Sequence, residues 1–178
     1  FDIAMPVFYV VNFLIAAFGS YFLLKTLSLN TYASVFGAIS FTFSSAMILR
    51  IPHTAVLQAV ALLPWILAIL TIYVKKPTLK MFVLLSLLLS QFFLTGFVQL
   101  FVYSILVFYL FIFLYWKVSI NKNFVKCCLS LIPAIILALT LSAIQLLPSL
   151  ELTQHSTRKS GVDPNIILNS FIFSPKNL

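Results

Sequence analysis

The sequence predicts an all-α, polytopic membrane protein of about six spans, and three observations carry that prediction. Its 178 residues are 62% hydrophobic and 8% charged, against about 25% charge in a soluble domain. Mean hydropathy is +1.14. Apolar runs of roughly 20 residues recur along the chain, each close to the length a helix needs to cross a bilayer. Helices are required because an open sheet cannot satisfy its backbone groups in lipid. The formal charge of +8 would suit nucleic acid as a partner, but the cations are scattered between apolar runs instead of forming a stripe, so they read as topology signals and no nucleic acid is expected.

The runs cover residues 3–24, 32–49, 54–74, 81–95, 97–116 and 127–147. The fourth is short. From Met81 to Trp116 there are 36 residues without a charge, too many for one helix and few for two, so a tight break is expected at Thr95-Gly96. Pro64 and Pro133 fall inside runs, where neighbouring helices can re-satisfy the freed carbonyls and kinks are expected. Residues 1–147 therefore form a multi-span domain, and residues 148–178 a polar extracytoplasmic loop or interfacial helix. Residue 1 is Phe with no basic leader or cleavage site after it, and the chain stops in a polar stretch, so the expectation is an internal piece of a longer protein. Cys127 and Cys128 are adjacent, which disfavours a crosslink between them, and no second pair exists to build a metal site.

Orientation follows from the cations. If the first span runs outside to inside, Lys25, Lys75, Lys76, Lys80, Lys117, Lys122 and Lys126 share one side. They are seven of the eleven basic residues, so that side is cytoplasmic. Arg50, Arg158, Lys159 and Lys176 then lie outside with Asp2, Glu151 and Asp163. His53 and His155 join them, so the chemically versatile groups converge on one face. Helical spacing of i+4 and i+3 sets Glu151, His155 and Arg158 on one side of a helix, and Pro148 suits the first position of that helix. The same cluster also reads as a solvated surface.

The stretch Ile144-Gln145-Leu146-Leu147-Pro148-Ser149-Leu150-Glu151-Leu152, with Ser156 and Arg158 after it, resembles the QLLP-x-x-E and S-x-R signature of bacterial YfhO-type membrane proteins, polytopic glycosyltransferases of the GT-C class. Two further similarities fall in order. His53 precedes a run with Leu63-Pro64-Trp65, and Thr95-Gly96-Phe97-Val98-Gln99 is similar to the family's Gly-His-Pro-Gln break, with Phe97 and Val98 in place of His and Pro. The resemblance implies an enzyme of a bacterial cell membrane that takes a sugar from a polyprenyl-phosphate carrier and gives it to a cell-surface polymer on the extracytoplasmic face. It names no cofactor and leaves a divalent-metal requirement open. The family's acidic catalytic residue would lie upstream of Phe1, so no catalytic group is assigned among these residues, Asp2 included.

The residues suit that chemistry. Arg158 is the candidate for the donor phosphate, since guanidinium offers a fork of donors to phosphate oxygens, and Lys159 adds a point charge. Glu151 either orients Arg158 or binds sugar hydroxyls, and His53 and His155 are candidates for hydrogen bonds to phosphate or sugar. Gln91, Gln99 and Gln145 lie in or at the ends of apolar runs, where an amide needs a partner and bonding between helices is expected. Two other classes stay open, a transporter or lipid flippase and a non-catalytic scaffold. No Asp, Glu, Lys or Arg lies at the centre of a run, which counts against ion coupling.

Overall fold

A computed structural model describes residues 3–119 and 124–155. All regular structure among them is helical: α1 (Ala4–Thr26), α2 (Thr31–Thr42), α3 (Ser45–Ile48), α4 (Thr54–Lys75), α5 (Leu79–Phe93), α6 (Val98–Ser119), α7 (Phe124–Leu141) and α8 (Ala143–His155). The chain divides into two compact units, the first ending at Ser142 and the second starting at Ala143.

The expected number of spans is corrected downward. Among the described residues four stretches are long and apolar enough to cross a membrane: Ala4–Thr26, Thr31–Ile48, Thr54–Lys75 and Val98–Tyr115. A fifth arises only if α7 and α8, separated by Ser142, count as one broken span, and α5 has just 15 residues. An apolar run counted along the sequence includes residues that the fold spends in turns. Leu94–Phe97 and Ser142 are those residues here.

Local chemistry sets the helix ends. α1 closes in a Schellman turn, with Ser28 N–H donating to Lys25 O at 3.0 Å and Leu29 N–H to Leu24 O at 3.1 Å. Ser28 takes the left-handed position there, φ 69°, where Gly is usual. Asn30 then caps α2, its side-chain oxygen accepting from Ala33 N–H at 2.8 Å. Thr78 caps α5 in the same way through Met81 N–H at 3.3 Å.

In the first unit α4 is the central helix. It is apolar on every side and buries residues around its circumference, as a helix enclosed by others must. α1 lies beside it in parallel, and three features spaced along the pair mark the register. Lys75 Nζ donates to Thr26 O at 2.6 Å at the C-terminal ends. Trp65 Nε1 donates to Ile15 O at 2.9 Å mid-span. Met5 and Phe8 line one cleft with Thr54 and Gln58 at the N-terminal ends. Gly19 permits the middle contact, because a Cβ there would stand 2.5 Å from Trp65 Cδ1. α2 packs on the other flank of α1, where Gly37 makes room for Leu24. α5 and α7 form a second parallel pair, joined where Ser90 Oγ and Ser142 Oγ share a hydrogen bond at 2.9 Å. α6 lies against α4, α5 and α7 along a narrow stripe of Phe101, Ser104, Phe108 and Ile112.

Candidate functional site: a cleft at the N-terminal ends of two helices

On the side predicted to be extracytoplasmic, the outer ends of α1 and α4 meet the α5–α6 turn around a cleft of about 250 Å³. Its walls are Met5, Phe8, Thr54, Ala55, Gln58 and Thr95. The turn lies where the uncharged run predicts it, at Thr95-Gly96, and Gly96 has φ 87°, a conformation that favours glycine. Thr54 and Gln58 are one turn apart on α4 and so face the same way. Leu57 N–H to His53 O, at 2.9 Å, is the first backbone bond of that helix, which leaves the amides of Thr54, Ala55 and Val56 without an intrahelical acceptor.

His53 immediately precedes α4 and is exposed, and its side chain does not cap the helix. Its own N–H donates to Arg50 O at 2.9 Å. Glu151 and His155 are one turn apart on α8, both exposed, so the shared face expected for them is present. The start of that helix is corrected: α8 begins at Ala143 and carries Pro148 inside it, not in its first position. A proline within the first two turns removes only one backbone bond, and Ser149 Oγ donates to Gln145 O at 2.7 Å beside it. Arg158 and Lys159 lie outside the described residues.

The glutamines do less between helices than expected. Gln99 donates to the Tyr103 hydroxyl at 3.1 Å within α6 itself, and Gln91 is exposed. Serines supply the interhelical bond instead, through Ser90 and Ser142. Ser142 is fully buried and also donates to Ala138 O, at 2.8 Å.

Two features escaped the sequence reading. Asn12, inside α1 and 3% exposed, donates to Phe8 O at 2.9 Å while its side-chain carbonyl has no partner. A single amide in the first apolar run was its only signal. The second is an open groove of about 700 Å³ between α1 and α2, walled by residues such as Tyr9, Phe13, Phe18, Tyr21, Ile39 and Phe43. Nothing in the sequence distinguishes those aromatics from the rest of the two runs. Among the described residues no three His, Cys, Asp or Glu side chains group as metal ligands. Comparison of the chain with protein-family models, with curated proteins and with solved structures gives no match.

Proposed function

We propose that this chain is part of a membrane glycosyltransferase that moves a sugar from a polyprenyl-phosphate-linked donor to a cell-surface polymer on the extracytoplasmic side of a bacterial cell membrane. The observation that carries the reading is the ordered set of motifs: His53 with Leu63-Pro64-Trp65, Gly96 with Gln99, and Gln145 to Glu151 with Arg158. Their setting supports it. His53 adjoins the polar cleft at Thr54, Gly96 forms the turn at Thr95, and Glu151 and His155 share an exposed helix face. A lipid-linked donor also needs a place for its tail, and the groove between α1 and α2 offers an apolar wall with no charged residue.

In this reading Arg158 binds the donor phosphate, and Glu151 and His155 lie on the same helical side to orient it or to meet the sugar. A charge-assisted hydrogen bond of that kind is worth roughly 1.5–3 kcal/mol, so Arg158→Ala should lower donor use by about tenfold to a hundredfold. Arg158→Lys keeps the charge without the fork and should restore activity only in part. The measurement is sugar transfer from a polyprenyl-phosphate donor by the full-length protein at matched expression. Wild-type transfer by the alanine variant would assign the cluster to a solvated surface.

A further inference from the structure

The cleft at Gln58 and Thr95 lies where two helices stop short. α5 has 15 residues, which at 1.5 Å per residue is about 22 Å, while the hydrocarbon of a bilayer is about 30 Å thick. Charge fixes which end carries the deficit. Lys80 is the second residue of α5 and Lys76 precedes its Thr78 cap, so the inner end belongs in water. The missing length, roughly 8 Å by the same rise, therefore falls at the outer end.

α7 stops at the same depth. The sequence puts Lys126 in its first turn, and from there to Ser142 is about 24 Å of helix. The Ser90–Ser142 hydrogen bond, 2.9 Å, holds the ends of α5 and α7 level. At that depth the chain between α5 and α6 is irregular. Gly96 N–H donates to Phe93 O at 3.1 Å, and the first backbone bond of α6 is Leu100 N–H to Phe97 O at 3.0 Å, so the amides of Phe97, Val98 and Gln99 precede the ladder. Non-helical backbone at membrane depth is tolerated only where protein or water satisfies it. The cleft is the one space beside this turn among the described cavities, and Gln58, on its wall, brings an amide that forms no hydrogen bond among the described residues.

We propose that the outer membrane surface is indented over α5 and α7, and that water fills the cleft down to Gln58 and Thr95, making it a hydrated recess below the level of the surrounding membrane surface. This does not depend on the transferase reading, since it rests on helix length, charge position and backbone satisfaction.

Cysteine accessibility in the full chain tests it, in a Cys127→Ala, Cys128→Ala background. A membrane-impermeant, sulfonated thiol reagent is added to intact cells carrying Gln58→Cys, Thr95→Cys, Arg50→Cys as the surface reference, or Leu106→Cys on the exposed face of α6 as the lipid reference. The reacting thiolate forms only where water is present, so positions 58 and 95 should react at least about tenfold faster than position 106 and within about tenfold of position 50. Rates at 58 and 95 as slow as at 106 would overturn the proposal. So would reaction that appears only after the cells are permeabilised, because the opening would then face the other side. If Gln58→Cys does not insert, Thr95→Cys and Ala55→Cys read the same cleft.

Discussion

α4 and α6 are both 22 residues long and both apolar nearly throughout, yet they occupy opposite situations. α4 buries residues on every side, whereas α6 buries one stripe and exposes Val102, Tyr103, Leu106, Val107, Leu110 and Leu114. Composition explains the difference. α4 carries four alanines, three of them buried, while α6 has neither alanine nor glycine and is filled with Phe, Tyr, Leu and Val. In lipid no hydrophobic force draws two apolar helices together, so association depends on how closely backbones can approach, and small residues decide that. Hydropathy therefore identifies both helices as membrane segments but says nothing about which of them has neighbours.

The largest test of that contrast is at the α1–α4 seam. Gly19→Leu should destabilise the protein by roughly 3 kcal/mol, the upper end for overpacking, read by an unfolding titration in mild detergent. The indole of Trp65 cannot swing aside without giving up Ile15 O. Trp65→Leu in the same chain should recover part of the loss; a glycine variant as stable as wild type would show the seam to be loose.

A smaller effect, of opposite sign, is expected about two turns earlier on α1, at Asn12. Asn12→Leu removes a buried carbonyl that has no partner, and replacing an unsatisfied polar group by an apolar one of similar shape should leave stability unchanged or raise it by up to about 1 kcal/mol. A loss of more than that amount would mean that the carbonyl is bonded in the membrane. The smallest effect belongs to α6. Leu106 is 66% exposed, so Leu106→Ala should stay within about 0.5 kcal/mol of wild type, and a larger cost would place another helix on that face.

Legibility in the sequence follows the same division. The turn at Thr95-Gly96 was readable because 36 uncharged residues exceed one span and Gly is the residue that can take φ 87° there. The break at Ser142 was not. A serine in an apolar run is an ordinary helical residue, and its partner across the helix pair, Ser90, is 52 positions away in the chain. Pro148 likewise suggested a start that lies five residues too late, since proline is a local signal and is tolerated within the first two turns as well as at the first position. Of the candidate site, His53 and the shared face of Glu151 and His155 were readable from chain order and helical spacing. Thr54, Gln58 and Thr95 were not, because polar residues of two separate runs line one cleft only when α1, α4 and the α5–α6 turn are side by side.

The sequence by itself determined the solvent and the helical class, because these depend on transfer free energies summed over neighbouring residues. Tertiary structure alone decided that α1 lies against α4 and α5 against α7, that the six apolar runs give four or five spans among the described residues, and where the cleft opens. Those outcomes depend on how closely particular backbones approach, at Gly19 against Trp65 and at Ser90 against Ser142, and no local sum of propensity or hydropathy contains that distance.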